Sequence, residues 1–275
     1  MIEVLGAIVG DVVGSPFEFD NLRKTAHSRD YPLVSEQSYA TDDTVLTLAV
    51  AKGIMKAIPI RGQEVSDSDF EKGIAESMRL LGKKYPYAGY GVRFINWLSH
   101  NEAEPYNSCG NGSAMRVSPV AWAFETLEEI EHFAELSAAV THNHPEGIKG
   151  AQATAGAIFL ARTGKSKQEI REYITTRYGY DLSRTLDEIR PTYYHVETCQ
   201  ETVPEAITAF LEGKDFEDVL RSAVSLSGDS DTLTAISCSI AEGFYGIPEE
   251  ICEMVMPKLD DYLTDLLLRW ELWRA

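Results

Sequence analysis

Two short acidic stretches, each opening an apolar run, constrain the fold of this chain more than any other feature. Residues 41–44 read TDDT and residues 228–232 read GDSDT. Threonine and aspartate are common helix N-caps, so either stretch alone predicts only a helix start. The runs that follow are apolar enough to be buried, and buried carboxylates need a counter-charge. We therefore expect the two helix starts to meet and to offer a cluster of oxygen ligands to hard cations.

The remaining sequence is also predicted to be helical. Residues 1–15 carry apolar side chains at helical spacing, and Gly6, Gly10 and Gly14 recur every four residues. Glycine weakens a helix by ~1 kcal/mol per residue. The glycine stripe therefore favours either close helix packing or a helix end that lines a tight ligand site. With about a dozen helical segments and almost no alternating strand pattern, we predict an all-α fold, a single compact orthogonal multi-helix domain over residues 1–275.

Two segments have no clear period. Residues 20–40 are polar and are interpreted as a long loop, a type of segment that often serves as a lid or binding loop. Residues 179–202 are predicted to be irregular, and Tyr193, Tyr194 and His195 within them could border a pocket. The next helix is predicted over residues 203–212.

Charge and cysteine content limit the partners and the compartment. The chain has 43 acidic and 25 basic residues, a net charge of −18. This balance argues against binding to nucleic acid or to an anionic membrane. The four cysteines form no CxxC pair, which favours free thiols in a reducing cytoplasm. The N-terminus lacks a basic signal-peptide region, and no apolar run reaches the roughly 20 residues of a membrane span, so we expect a soluble cytoplasmic protein.

Three further features are ambiguous when taken singly. The turn at residues 108–113, SCGNGS, exposes backbone N–H groups that suit phosphate, although an ordinary loop is the better explanation of this turn taken alone. His142 and His144 lie at a helix junction, where hydrogen bonding to a ligand or to backbone is favoured over metal binding. Glu18 stands between two aromatic residues, either as a surface group or as a catalytic group partly shielded from water.

The order of these motifs resembles the ADP-ribosylglycohydrolase family. The resemblance rests on GDVVG at residues 10–14 with Glu18, TDDT at 41–44, GNGSAMR at 110–116, Thr141-His142, and GDSDT at 228–232. It runs from residue 5 to about residue 250. Each motif is modest alone, but their order and spacing together are specific.

This resemblance implies an all-α fold with a central dinuclear site for two Mg²⁺ or Mn²⁺ ions. The metal ligands that it implies are Thr41, Asp42, Asp43, Asp229, Asp231 and Thr232. The substrate-binding residues that it implies are Ser108, Gly110, Asn111, Gly112, Ser113 and His142. Glu18, Asp42 and Asp231 are the implied catalytic residues.

The implied reaction is hydrolysis of the bond between C1″ of ADP-ribose and a modified side chain, with water attacking as positive charge develops at C1″. The substrate would be an ADP-ribosylated protein, with arginine slightly favoured as the linkage, or a small ADP-ribose conjugate. We expect a monomer.

Two other functions remain open at this point. One is an inactive ADP-ribose or nucleotide-binding protein of the same fold, although Glu18 and all six metal-type residues are present. The other is a thiol hydrolase with Cys109 as nucleophile and His142 or His144 as base.

Overall fold

Helices form the regular structure of the described residues, which are 3–18, 28–100 and 104–275 of a computed structural model. In these ranges, strand-like pairing is limited to one isolated bridge between Gly110 and Thr198. The first eight helices are α1 Leu5–Gly14, α2 Asp42–Ala57, α3 Asp67–Lys84, α4 Val92–Ser99, α5 Gly112–Met115, α6 Ser118–Ala123, α7 Leu127–Ala139 and α8 Pro145–Arg162. The others are α9 Lys167–Tyr178, α10 Leu186–Ile189, α11 Cys199–Glu212, α12 Phe216–Val224, α13 Ser230–Tyr245, α14 Glu249–Val255 and α15 Asp261–Arg274. The all-α prediction is confirmed.

The glycine stripe of α1 packs directly against α13. A Cβ at Gly6, Gly10 or Gly14 would lie 2.3–2.5 Å from a backbone carbonyl oxygen of α13. All ten residues of α1 are buried. The stripe therefore serves close helix packing, as one of the two interpretations predicted, and it fixes α1 along α13.

Alanine at position 10 is expected to lower the free energy of unfolding by about 3 kcal/mol, because the new methyl group must displace backbone rather than a flexible side chain. The missing Cβ would lie 2.3 Å from the carbonyl oxygen of Thr234. Thermal denaturation of Gly10→Ala measures this loss. Gly91→Ala is the matched control, since nothing lies within 4 Å of a Cβ there. Equal melting temperatures for the two variants would contradict the packing argument.

Asp11 joins α1 to the start of α2. Its carboxylate accepts hydrogen bonds from the Thr41 amide at 2.9 Å, the Thr41 hydroxyl at 2.7 Å and the Thr44 amide at 3.0 Å. The Thr44 hydroxyl donates to it as well. Because α1 is also fixed along α13, the first turns of α2 and α13 are brought to the same place. The predicted meeting of the two acidic helix starts is observed.

Some predicted boundaries are wrong. The helix predicted over 203–212 begins at Cys199, because the turn closes through a bond from the Thr202 amide to the Thr198 carbonyl before Pro204 is reached. The segment 179–202 also contains the short helix α10. The predicted loop 20–40 is irregular where described, while residues 19–27 lie outside the described part. Within the described ranges, no helix has the length and apolar content to cross a membrane.

Candidate active site

A cleft of about 420 Å³ opens where the first turns of α2 and α13 face the glycine turn. One wall carries carboxylates, and another carries the turn with aromatic and imidazole groups. The carboxylate wall consists of Glu18, Asp42, Asp43, Asp229 and Asp231, together with Thr232. The second wall includes Tyr106, Ser108, Gly110, Asn111, Gly112 and His142. The cleft therefore joins two groups of residues that the sequence separates widely.

Three carboxylates form a close cluster on this wall. One oxygen each of Glu18, Asp229 and Asp231 lies within 4.8 Å of the other two. The side-chain amide of Asn111 donates to the Asp229 carboxylate at 2.6 Å, which connects the glycine turn to the cluster. Burial raises the pKa of Asp231 well above its usual range, and the charge of Asp229 raises it further. These carboxylates repel one another and would gain from a shared cation.

Asp43 supplies an unpaired oxygen beside the cluster. Its side chain is 2% exposed, and its Oδ2 accepts from the Thr232 hydroxyl at 3.2 Å. Its Oδ1 is buried without a hydrogen-bond partner among the described residues. Burial, followed by the charge of Asp11, raises the pKa of Asp43 well above its usual range. A buried oxygen left without a partner needs an explanation, and carboxylate and hydroxyl oxygens are the donors that hard divalent cations prefer. The residues present therefore fit Mg²⁺ or Mn²⁺.

Glu18 is half-buried and follows a short 3₁₀ turn, Ser15–Phe17, at the end of α1. Burial and then the charge of Asp229 raise its pKa to about 7. A carboxyl group poised near neutral pH suits general acid–base work. The partly shielded position is one of the two alternatives that the sequence left open. Asp42 also faces the cleft, and burial raises its pKa well above the usual range.

The glycine turn is held in place by the segment before α11. The backbone amide of Asn111 donates to the Glu197 carbonyl at 2.8 Å, and the backbone amide of Cys199 donates to the Cys109 carbonyl at 2.9 Å. The side chains of His195 and Glu197 line the cleft, and His195 Nε2 lies 3.1 Å from the Glu197 carboxylate. His195 was expected to border a pocket. Glu197 was not predicted, because it stands in an irregular segment that carries no motif.

Three predicted residues lie away from the cleft wall. The Ser113 hydroxyl points into the protein and donates to the Gly147 carbonyl at 2.7 Å. The Thr41 hydroxyl donates to Asp11 and accepts from the Asp43 amide at 3.2 Å, so it caps α2. His144 caps α8 by accepting from the Glu146 amide at 3.1 Å, which explains it without a catalytic role. Cys109 is not on the cleft wall either, which disfavours the thiol hydrolase.

The fold and the cleft together define a class of protein: an all-α protein with an acidic ligand site opposite a glycine turn. Residues 4–275 match the model of the ADP-ribosylglycohydrolase family. The chain belongs to this family.

Individual relatives span most of the chain. An uncharacterized protein from Archaeoglobus fulgidus is 31% identical, over 91% of this chain and 89% of that protein. Human ADP-ribosylhydrolase ARH3 is 27% identical, over 95% of this chain and 89% of the human protein. ADP-ribosylarginine hydrolase Tri1 from Pseudomonas putida is 24% identical, over 92% and 72%. A solved structure titled "ADP-ribosylglycohydrolase-related protein complex" has the same fold, with a TM-score of 0.67 and 23% identity over 99% of this chain and 96% of that one.

Proposed function

We propose that this protein is a metal-dependent ADP-ribosyl hydrolase that removes ADP-ribose from a modified side chain, with arginine as the favoured linkage. The observation that carries the proposal is the acidic cluster with the unpaired Asp43 oxygen, which shares one cleft with a glycine turn and His142. Family membership and the activities named for ARH3 and Tri1 support the reaction class. We also propose that the protein acts as a monomer.

The two walls have different proposed tasks. Ser108, Gly110, Asn111, Gly112 and His142 would bind the diphosphate and the ribose. The ligands proposed for two Mg²⁺ or Mn²⁺ ions are Asp42, Asp43, Asp229, Asp231 and Thr232, while Thr41 holds the start of α2. Such ions, when bound, supply positive charge that fixes ribose hydroxyls and offsets the acidic wall.

Glu18 would handle the proton in the proposed reaction. Its carboxylate would accept a proton from the water that attacks C1″, while the bond from C1″ to the modified side chain breaks. The electron pair of that bond would leave with the side chain, which takes up a proton from solvent, and Glu18 would then release its own proton to solvent. Its half-buried position in the cleft suits this carboxylate to take up and release a proton. Asp42 and Asp231, which line the same cleft, would help to hold the attacking water and the sugar in place.

The lining of the cleft favours a cationic leaving group. Glu18 and Glu197 both belong to this lining, and the Glu197 carboxylate, which lies 3.1 Å from His195 Nε2, is largely exposed. Carboxylates pair well with a guanidinium through parallel hydrogen bonds. One named relative, Tri1, acts on ADP-ribosylarginine.

Substituting Glu197 by glutamine is expected to lower kcat/KM for an ADP-ribosylarginine peptide about fivefold, the effect of an exposed ion pair worth about 1 kcal/mol. The same change should leave kcat/KM for an ADP-ribosylserine peptide nearly unaltered, because serine carries no charge. Release of ADP-ribose from the two peptides measures both values. Equal losses on the two peptides would remove Glu197 from linkage selection.

The reaction class is tested with a panel of arginine-, serine- and ester-linked ADP-ribose substrates, each incubated with Mg²⁺, with Mn²⁺ and with excess chelator. We expect turnover with an added ion and none after complete chelation. Turnover that survives chelation would overturn the metal dependence. Binding of ADP-ribose with no turnover of any substrate would favour a binding protein of the same fold.

A further inference from the structure

Arg116 is a buried cation at the lining of the cleft. Its side chain is 0% exposed, and its Nη2 donates to the Thr141 hydroxyl at 2.8 Å and to the Ser137 carbonyl at 3.4 Å. Its Nε and Nη1 have no hydrogen-bond partner in the described part of the chain. The ion pairs found among the described residues do not include Arg116. Burying a guanidinium without an ion-pair partner is costly, which indicates that its hydrogen bond to Thr141 has a function.

The Thr141 hydroxyl connects Arg116 to His142, which lines the cleft. Its Oγ1 lies 2.7 Å from Nδ1 of His142, and Thr141 itself is fully buried. The Tyr106 hydroxyl also bonds to Thr141. A hydroxyl has one proton to donate and two lone pairs that accept. Arg116 can only donate, and if Tyr106 donates as well, both lone pairs of the Thr141 hydroxyl are occupied. The Thr141 proton is then left for Nδ1 of His142, which can accept it when that nitrogen carries no proton of its own.

The other ring nitrogen of His142 faces the glycine turn. Nε2 would lie 3.2 Å from a Cβ at Gly112 and 3.5 Å from one at Gly110, so glycine makes room for the imidazole at both positions. Burial and the nearby Arg116 charge hold the pKa of His142 well below its usual range, so the ring is neutral. A neutral ring that accepts at Nδ1 must carry its proton on Nε2.

We propose that Arg116, acting through Thr141, is a positioning residue that fixes His142 as an Nε2–H donor aimed at an oxygen of the substrate. Fixing the tautomer matters because a diphosphate or ribose oxygen is attracted by an N–H and repelled by a nitrogen lone pair. Without the Arg116 bond, the Thr141 hydroxyl could turn and accept from Nδ1–H, which would place a lone pair in the cleft. The proposal rests on the proposed function only for the identity of the ligand, and the tautomer stands independently of it.

The tautomer is measured directly by ¹⁵N NMR of protein labelled at its six histidines, with His142→Gln used to assign the signal. We expect a protonated Nε2 and an unprotonated Nδ1 in the wild-type protein. Thr141→Val removes the relay, and should weaken ADP-ribose binding and raise KM about tenfold, the size of a lost hydrogen bond to a charged group, while kcat stays within about twofold. Thr141→Ser should restore both the tautomer and the binding.

Thr154→Val is the matched control, since Thr154 is equally buried on α8 and its hydroxyl has no partner in the described residues. It should change neither the His142 signal nor KM. A wild-type ring protonated on Nδ1, or a Thr141→Ser variant as impaired as Thr141→Val, would overturn the proposal. If Thr141→Val does not fold, the wild-type tautomer and the serine variant decide. ADP-ribose binding without hydrolysis would contradict the proposed function and leave this inference intact.

Discussion

Glutamine at position 18 is expected to lower kcat about a thousandfold while ADP-ribose still binds. General acid–base catalysis contributes about 10²- to 10⁴-fold, and an amide cannot take a proton from water. Glu18 is the candidate because it lies in the cleft and burial raises its pKa to about 7. Glutamine keeps the volume of the side chain and removes one charge from a crowded acidic wall, so the fold should be unaffected. Steady-state turnover assays measure kcat, and calorimetric titration with ADP-ribose measures binding separately.

The position of Glu18 also permits another role, which the same experiment separates. One of its oxygens lies within 4.8 Å of oxygens of Asp229 and Asp231, so it could hold a cation instead of moving a proton. In that case Glu18→Gln would weaken binding of the ion and of ADP-ribose together with turnover. Unchanged kcat would remove Glu18 from the chemistry altogether. Glu36→Gln, at an exposed position outside the cleft, is the control and should behave as wild type.

Local signals in the sequence predicted the helices and the meeting of the two acidic starts. Thr41 caps α2 as expected, and the glycines of α1 face another backbone. These features depend on neighbours in sequence or on a regular spacing, so a single chain reveals them. The start of α11 at Cys199 was not predicted, because residues 179–202 carry no clear period, although the helix forms its first turn before it reaches Pro204.

Residues whose role depends on distant partners were not predictable in the same way. Asp11 holds the start of α2 across 30 residues of sequence, and nothing near it marks a role in capping another helix. Asn111 and Ser113 stand in one turn, yet one side chain reaches Asp229 and the other turns to the Gly147 carbonyl. Only the packing of α8 and α13 around that turn decides which side chain faces the cleft.

Asparagine at position 43 is expected to abolish most activity and to stabilise the ion-free protein at the same time. The Asp43 carboxylate is buried, has one oxygen without a partner, and lies close enough to other acidic groups that their charges act on it. In the ion-free protein it costs stability at neutral pH, because a carboxyl whose pKa is raised on folding must either stay charged away from water or take up a proton that the unfolded chain releases. Asparagine removes this cost, and its carbonyl oxygen can still accept from Thr232. We expect the ion-free variant to gain about 1–2 kcal/mol in the free energy of unfolding.

Added Mg²⁺ or Mn²⁺ should reverse this order. An ion present at about 100 times its dissociation constant stabilises the folded state by about 2.7 kcal/mol. The wild-type protein should gain this increment and the Asp43→Asn variant only a small part of it. Turnover of the variant should fall about a hundredfold or more, since even groups that merely support metal ligands are worth 10- to 100-fold. Thermal denaturation with and without each ion, alongside turnover, measures all three effects.

Asp11→Asn distinguishes a carboxylate that binds an ion from one that holds the fold. Asp11 is also buried, but its two oxygens accept four hydrogen bonds from Thr41 and Thr44. An asparagine there would set an NH₂ group against donors, so Asp11→Asn should lose about 2 kcal/mol or more, with or without ions. If Asp43→Asn also destabilises the ion-free protein, then the Asp43 charge is already compensated and the case for a cation beside it fails. If the Asp43 carboxylate binds a cation and the Asp11 carboxylate holds the fold, then Asp43→Asn should raise the free energy of unfolding of the ion-free protein and Asp11→Asn should lower it.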